Sequence, residues 1–477
     1  MHMFTCLRVW QFIVRKPSTV NRHCRFVVRM SSTDRTGPSD TKKSFEDKYF
    51  DCAANGNVEE LKFLLQATFN SDHRNDKGWT ALMLAARNGQ VHVIEALLQK
   101  GCDINLVNKT GQTAEDIAVF WDQKKAANML TDFIKKENPD KQLRNYFSLN
   151  NLDRMAENRK DKDWLQSRLK KETTRFIIFS DLKPLVRLSG DATQRYKYTL
   201  VRLAYSDIEF LLKTNPLLVF LGVESDESTK DNSTVLDEAG QALFALDVTD
   251  TDESKFKTLV GEAEFTTSYH VLMQLEPSDA GIFAEARSLL DWLDRYKFCA
   301  TCGSATTVAE GGYKRICDNK SCRTNKGIHN TCYPRTDPSV IMLVVSPDGK
   351  RCLLGRKKQF PAKMYSCLAG FMEPGEALED TCRREVYEES GVRVGRVDYH
   401  SSQPWPFPCS LMLGCLAHAT SENIKVGEDE MEDVQWFRRS ELVQMLTKQH
   451  PQGLYIPPEQ AIAHQIIKAW VRMTANL

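Results

Sequence analysis

Short runs of apolar residues predict buried β-strands in the middle and C-terminal parts of the chain. The runs lie at 176–179, 217–221, 243–246 and 340–345, and each is shorter than an average helix. Between 280 and 296, apolar residues return every three or four positions, which predicts a helix. No apolar run approaches the roughly 18 residues that a membrane-spanning helix requires, so we expect no membrane segment.

The pattern repeats with a period of 33 residues between 45 and 134. Glycines, alanines and leucine pairs recur at this spacing: Gly56 and Gly89, Gly78 and Gly111, Ala53 and Ala86, and Leu64-Leu65 and Leu97-Leu98. Period and identities resemble ankyrin repeats, in which each helical unit buries its leucines against the next. Ankyrin stacks bind proteins and carry no chemistry, so the resemblance implies an unknown protein partner.

Composition and charge describe a globular protein with more than one domain. The 477 residues suggest about three domains, with 42% hydrophobic and 27% charged residues. A formal net charge of +1 argues against a general polyanion binder, so any nucleic-acid contact has to be local. Apart from one four-cysteine cluster, the 14 cysteines are scattered singly, which fits a reducing compartment.

Both ends of the chain resemble targeting signals. Residues 1–33 lack Asp and Glu but carry arginines among apolar residues, as mitochondrial transit peptides do. The alternative is translation from Met30, which would leave residues 1–29 out of the protein. The last residues, Ala475-Asn476-Leu477, resemble a peroxisomal signal in which Asn replaces the basic residue. We expect the peroxisome and the cytoplasm, with a mitochondrial isoform if the extension is translated.

Four cysteines follow metal-ligand spacing. Cys299 and Cys302 form one pair, and Cys317 and Cys322 follow after fourteen residues. Thiolates arranged in this way suit tetrahedral Zn²⁺ with no open position, so the expected role is structural. The alternatives are a redox pair, which leaves the second pair unexplained, and a nucleic-acid-binding ribbon that uses the neighbouring lysines and arginines.

The densest candidate chemistry lies between Gly370 and Val392. If 377–389 is a helix, Glu385, Glu388 and Glu389 stand at i, i+3 and i+4 and share one face. Like charges at this spacing repel, whereas a hard cation such as Mg²⁺ or Mn²⁺ would bind the carboxylate oxygens. The alternative is a solvated acidic helix that ends at a glycine cap.

The stretch matches the Nudix box, Gly-x5-Glu-x7-Arg-Glu-apolar-x-Glu-Glu-x-Gly-apolar, at every fixed position. Downstream, 402–410 read SQPWPFPCS, in which alternating prolines predict an extended backbone that projects Gln403, Trp405 and Phe407. The alternatives are a generic proline-rich loop and a ligand for an SH3 domain. With the cysteine cluster and YPRTDP at 333–338, the chain resembles the NADH pyrophosphatase branch of the Nudix hydrolases, and with ankyrin repeats it resembles the eukaryotic peroxisomal NAD-capped RNA hydrolases.

The resemblance implies the residues of the site. Glu385, Glu389, Glu430 and the backbone carbonyl of Ala369 would bind Mg²⁺ or Mn²⁺, and Glu388 would join the catalytic carboxylates. Arg384 and Glu376 would pair and orient the helix. The substrate wall would comprise Tyr333, Ala369, Gly370, Phe371, Gln403, Pro404, Trp405, Pro406, Phe407, Pro408, Cys409, Ser410 and Ala463. Arg356, Lys357 and Lys358 either hold phosphate oxygens or are solvated.

The implied activity is metal-dependent hydrolysis of the diphosphate in NADH or NAD, which gives AMP and nicotinamide mononucleotide. On NAD-capped RNA it would leave a 5′-monophosphate end. The alternatives are a Nudix pyrophosphatase for ADP-ribose or a methylated mRNA cap, and an adaptor with an inactive Nudix fold, against which the intact carboxylates argue. The resemblance also implies a homodimer. The preference between NADH and capped RNA, the number of metal ions and the general base stay open.

The predicted architecture is a multidomain chain that combines helical repeats, a mixed α+β domain, a zinc ribbon and an α/β/α Nudix sandwich. The middle domain shows no catalytic constellation and is expected to be structural or dimerising. The predicted segments are a basic extension and linker at 1–44, ankyrin repeats at 45–134, a charged linker at 135–171, an NADH pyrophosphatase N-terminal-like domain at 172–298, the zinc ribbon at 299–332 and the Nudix domain at 333–477.

Overall fold

A computed structural model describes most of the chain. The described residues are 38–66, 70–109, 112–137, 144–190, 196–214, 216–224, 240–251, 260–326, 333–426 and 430–472. Both predicted targeting signals lie outside these residues. Among the helices described, none is both long and apolar enough to cross a membrane.

The N-terminal part is a stack of helix pairs, as the 33-residue period predicts. Thr80 and Thr113 each begin a helix, where the side-chain hydroxyl accepts a hydrogen bond from the backbone N–H three residues later. Gly56, Gly78 and Gly89 have positive φ at the turns, which explains why glycine recurs there. The helices are α1 (Pro38–Asn55), α2 (Val58–Gln66), α3 (Ala81–Arg87), α4 (Val91–Gln99), α5 (Ala114–Phe120) and α6 (Lys124–Glu137).

The structure corrects the prediction of a charged linker over 135–171. From residue 144 onward the chain belongs to the fold, because Tyr146 and Phe147 are buried in the core of the middle domain. Strand β1 (Leu152–Asp153) then pairs with that domain's sheet, and α7 (Lys162–Leu169) follows it. Charged residues on exposed positions between these anchors give the segment the composition of a linker.

The middle domain is a mixed sheet with the long helix α10 packed on one face. The sheet order is β1-β6-β7-β2-β3-β4, with β5 paired to β2 and β8 paired to β3. The strands predicted at 176–179, 217–221 and 243–246 and the helix predicted at 280–296 are confirmed. The elements are β2 (Arg175–Ser180), β3 (Lys183–Leu188), β4 (Tyr198–Leu200), β5 (Arg202–Leu203), α8 (Tyr205–Leu212), β6 (Leu218–Glu224), β7 (Gln241–Asp247), β8 (Glu264–Phe265), α9 (Tyr269–Leu272) and α10 (Pro277–Arg295).

The cysteine-rich segment is a small antiparallel ribbon that lies against the middle domain. Its strands are β9 (Thr306–Ala309) and β10 (Lys314–Cys317). The turn between them brings Gly312 so close to Val219 that a Cβ on the glycine would lie 2.9 Å from Val219 Cγ1. Arg315 donates hydrogen bonds to the backbone carbonyls of Thr306 and Leu293, which fastens the ribbon to the end of α10.

The C-terminal domain is an α/β/α sandwich, as the resemblance implies. Its sheet order is β14-β15-β11-β12-β16, with β13 paired to β11. Helix α11 packs on one face through Cys382 and Val386, and α12 and α13 pack on the other through Leu442, Ile466 and Trp470. The elements are β11 (Asp337–Val345), β12 (Arg351–Lys357), β13 (Leu368–Phe371), α11 (Leu378–Ser390), β14 (Val394–Trp405), β15 (Ser410–Ala419), β16 (Met431–Arg438), α12 (Arg439–Leu446) and α13 (Ile462–Arg472).

Candidate active site

Helix α11 presents its carboxylates to the end of the central sheet. The helix ends at Gly391, whose φ of +70° gives a left-handed cap. Glu385 is 4% exposed and Glu389 is 2% exposed, whereas Glu388 is exposed. The alternative of a solvated acidic face is therefore wrong for the two carboxylates that face the sheet.

Strand β13 passes so close to the helix that any side chain at Gly370 would displace the carboxylate of Glu385. A Cβ built on Gly370 would lie 1.8 Å from the carboxyl carbon of Glu385. The neighbouring Ala369 N–H donates to Glu389 Oε2 at 3.3 Å. The carboxylates of Glu385 and Glu389 therefore both lie between α11 and residues 369–370 of β13.

Arg384 links the loop before the helix to the carboxylates. Its Nε donates to Glu376 Oε1 at 2.6 Å, its Nη2 donates to the carbonyl of Phe371 at 2.9 Å, and its Nη1 contacts Glu385 at 2.9 Å and Glu388 at 3.0 Å. The hydrogen bond from Arg384 lowers the pKa of Glu376 to about 2. The predicted pairing of Arg384 with Glu376 is confirmed.

The electrostatics of the buried carboxylates favour a cation. Burial raises the pKa of Glu389 to about 7 and also raises that of Glu385. Lys357 Nζ lies 2.9 Å from Glu389 Oε1 and 3.9 Å from the exposed Glu430. Lys357 and Arg384 supply two positive charges against five carboxylates, those of Glu376, Glu385, Glu388, Glu389 and Glu430. The remaining negative charge and the hard oxygen ligands fit a divalent ion such as the one the resemblance implies.

A cavity of about 500 Å³ opens beside these carboxylates. Part of the predicted wall lines it, together with two of the predicted metal-binding glutamates: Ala369, Gly370, Phe371, Glu385, Gln403, Trp405, Ser410, Glu430 and Ala463. The sequence also singled out Lys357 and Lys358, which line the cavity here. Ser339, Ile341, Phe360, Met412 and Ile462 were missed, because no local pattern distinguishes them from ordinary strand, loop and helix residues.

The segment from 402 to 410 differs from the predicted extended wall. Strand β14 ends at Trp405, and 406–409 form a turn. Trp405 lines the cavity, but the Phe407 side chain packs into the core of the middle domain beside Phe147 and Phe283. In the part of the chain that the structure describes, Pro404, Pro406, Phe407, Pro408 and Cys409 do not line this cavity.

Gln403 is fully buried and bonded to protein backbone. Its Nε2 donates to the carbonyls of Tyr146 at 2.8 Å and Gln460 at 2.7 Å, and its Oε1 accepts from the N–H of Ile462 at 2.8 Å. The side chain therefore ties together three segments at the edge of the cavity. The position of Gln403 agrees with the predicted substrate wall, but its side-chain amide is already hydrogen-bonded to protein backbone.

Tyr333 lies away from the cavity. Its ring is 41% exposed, and Lys314 Nζ of the ribbon lies 5.5 Å from the ring centre. It is not among the residues that line the cavity in the described part of the chain. The prediction that Tyr333 lines the pocket therefore has no support within a single chain.

The four predicted zinc ligands meet in one cluster. The Sγ atoms of Cys299, Cys302, Cys317 and Cys322 all lie within 4.8 Å of one another. Cys299 and Cys322 are 3.8 Å apart, and Cys302 and Cys317 are 3.5 Å apart. Four thiolates at these distances fit a structural tetrahedral Zn²⁺.

Known families match successive parts of the chain. They are ankyrin repeats in three copies over 50–144, an NADH pyrophosphatase-like rudimentary NUDIX domain over 173–292, an NADH pyrophosphatase zinc ribbon domain over 294–325 and a NUDIX domain over 335–457. The order of these matches follows the order of domains in the structure.

Similar proteins match this chain over different lengths. The chain is 45% identical over 470 residues to human NAD-capped RNA hydrolase NUDT12, a match that covers 94% of this chain and 100% of that protein. It is 38% identical to the NAD-capped RNA hydrolase of Schizosaccharomyces pombe, over 68% of this chain and 92% of that protein. It is 35% identical to the mitochondrial NAD(P)H pyrophosphatase NUDT13 of Mus musculus, over 62% of this chain and 84% of that protein. With four matched domains and this similarity over nearly its whole length, the chain belongs to the Nudix hydrolase family, in the branch that carries an NADH pyrophosphatase-like domain and a zinc ribbon.

Proposed function

We propose that this protein hydrolyses the diphosphate of NADH and NAD and removes the NAD cap from RNA 5′ ends. The observation that carries the proposal is the cavity beside the buried carboxylates, which has Phe371 and Trp405 among its lining residues. Aromatic side chains of this kind suit the flat rings of a dinucleotide. Similar proteins named for NAD-capped RNA and NAD(P)H support the same substrate class.

The reaction adds water across the P–O–P link. NADH would give AMP and reduced nicotinamide mononucleotide, and NAD-capped RNA would give 5′-monophosphate RNA and nicotinamide mononucleotide. The cavity residues hold the rings, and Lys357 and Lys358 lie where they can contact phosphate oxygens. Arg384 keeps Glu385 and Glu388 in place through hydrogen bonds.

We infer that Mg²⁺ or Mn²⁺ is the metal, held by Glu385, Glu389 and Glu430, with the carbonyl of Ala369 as a further ligand. When bound, such an ion neutralises the diphosphate and lowers the pKa of a coordinated water. The donor set is all oxygen, and Lys357 and Arg384 together only partly neutralise the carboxylates that surround it. Both features favour a hard divalent cation.

Hydrolysis of NADH by the full chain with Mg²⁺ tests the proposal. We expect AMP and reduced nicotinamide mononucleotide in equal amounts, measured by chromatography. Glu389→Gln should lower kcat/KM by about a hundredfold, which corresponds to ~2.7 kcal/mol of transition-state stabilisation. Glu379→Gln is the matched control, because Glu379 is exposed on the same helix. No release of AMP by the wild type would refute the proposal, and an active Glu389→Gln enzyme would refute the metal assignment.

We also propose a homodimer, a protein partner on the ankyrin repeats, and location in the peroxisome and cytoplasm. The resemblance supports the dimer, and light scattering that gives the monomer mass would contradict it.

The C-terminal Ala475-Asn476-Leu477 supports peroxisomal import. A fluorescent protein extended by the C-terminal residues should enter peroxisomes only while Leu477 is present. Import of the version that lacks Leu477 would contradict this signal.

A further inference from the structure

We propose that Glu115 of the third ankyrin repeat is a positioning residue for the substrate cavity, because it holds the C-terminal helix α13 whose first turn lines that cavity. The inference rests on the proposed hydrolysis of NADH. It gives the ankyrin array a role in substrate binding within its own chain, beyond that of a docking platform for other proteins.

Two carboxylates at the start of α5 contact two basic residues at the end of α13. Glu115 Oε2 lies 3.1 Å from Lys468 Nζ, and Glu115 Oε1 lies 2.6 Å from Arg472 Nη2. Asp116 Oδ1 also lies 2.9 Å from Lys468 Nζ. Glu115 is 8% exposed and accepts a further hydrogen bond from Thr131 Oγ1 at 2.6 Å. Breaking a buried pair of this kind leaves an uncompensated charge, so the contact resists opening.

The opposite end of α13 belongs to the substrate cavity. Ile462 and Ala463 line the cavity, and the N–H of Ile462 donates to the buried Gln403 at 2.8 Å. The helix also packs closely on the sheet, since a Cβ on Gly414 would lie 2.8 Å from Ile462 Cδ1. At about 1.5 Å per residue, only about 14 Å separates Ala463 from Arg472. A tilt at the ankyrin end of so short a helix therefore moves the cavity wall.

Open space beside the helix permits such a tilt. A second cavity of about 350 Å³ lies at the junction of the three domains, lined by Asp116 of the ankyrin repeats and by His464 and Lys468 of α13. Tyr269 and Met273 of the middle domain line it as well. Packing does not fill this side of α13. Ile466, Ile467 and Trp470 hold α13 against the sheet. On the side that faces the ankyrin repeats, the helix is held by the ion pairs with Glu115 and Asp116.

Steady-state kinetics on the full chain with Mg²⁺ and NADH test the inference. In Glu115→Gln and Lys468→Glu, we expect KM for NADH to rise by about threefold or more while kcat changes less than about twofold. A loss of folded protein would instead lower kcat and leave KM unchanged. Lys468→Arg keeps the charge and should keep the wild-type KM. Glu95→Gln, an exposed change elsewhere on the ankyrin repeats, is the matched control.

Hydrogen exchange of the α13 backbone amides shows whether the contact has opened. We expect faster exchange in Glu115→Gln and Lys468→Glu than in the wild type. Faster exchange with an unchanged KM would overturn the inference, and so would unchanged exchange in both variants, because the ion pairs would then not hold the helix. If the wild type did not hydrolyse NADH, the proposed function would fail, while the exchange data would still show whether Glu115 holds α13.

Discussion

At the scale of single residues, the absence of a side chain at Gly370 allows the carboxylate of Glu385 to lie against β13. The backbone of β13 and the Glu385 side chain share space that no Cβ can enter, because such an atom would lie 2.0 Å from both carboxylate oxygens. The φ of this glycine is not in the left-handed region, so steric contact rather than backbone strain requires it. The first glycine of the Nudix box thus leaves free the space that the Glu385 carboxylate occupies.

Gly370→Ala should lower kcat/KM for NADH by roughly 10- to 100-fold, because the added methyl displaces Glu385 from its position against β13. The domain should still fold, since the flexible carboxylate can move. Steady-state kinetics and Tm measure the two effects separately. In the control Gly395→Ala, the nearest contact of a Cβ would be Thr420 Cγ2 at 3.0 Å, so activity should be retained. Wild-type kinetics in Gly370→Ala would show that Glu385 has no fixed role.

At the scale of elements, the four cysteines were predictable and the packing of the ribbon was not. Spacing identifies the ligands, because two closely spaced cysteine pairs within one short segment are typical of a structural zinc site. The contact of Gly312 with Val219 joins two domains, and nothing local in either sequence marks it. The same holds for Gln403, whose bonds reach the segment at 146 and the loop at 460.

Removal of zinc should unfold the ribbon rather than slow a reaction, because the metal contributes on the order of 10 kcal/mol to a domain with little core of its own. We expect a chelator, or Cys317→Ser, to lower Tm and to expose the end of α10 to hydrogen exchange. Added Zn²⁺ should restore the chelated wild type but not the variant. An unchanged Tm after zinc loss verified by metal analysis would contradict a structural site.

At the scale of the whole molecule, the ankyrin repeats and the Nudix domain are joined by charge. Burial alone would raise the pKa of Glu115, but Lys468 and Arg472 lower it to about 2. A carboxyl with a lowered pKa stabilises the folded state above its unfolded pKa, and that stabilisation is lost as pH falls toward the folded value. The residues in this contact are more than 350 positions apart in the chain, which is why no pattern in the sequence predicted it.

Glu115→Gln should therefore destabilise the protein at pH 7 by about 3 kcal/mol at most, and by progressively less below pH 4.5. The change keeps the shape of the side chain and removes its charge. The first unfolding transition of the wild type and the variant, recorded between pH 7 and pH 3, measures the gap. A gap that stays constant over this range would show that the charge of Glu115 contributes nothing.

The substrate class is a property of the whole site, and the ratio of kcat/KM for NADH to that for ADP-ribose tests it most directly. ADP-ribose has the same diphosphate and adenosine but lacks the nicotinamide ring, which the wall that includes Phe371 and Trp405 is expected to contact. With the full chain and Mg²⁺, we predict a ratio of at least about ten, or ~1.4 kcal/mol of discrimination. A ratio of one or less would contradict a site built for nicotinamide dinucleotides.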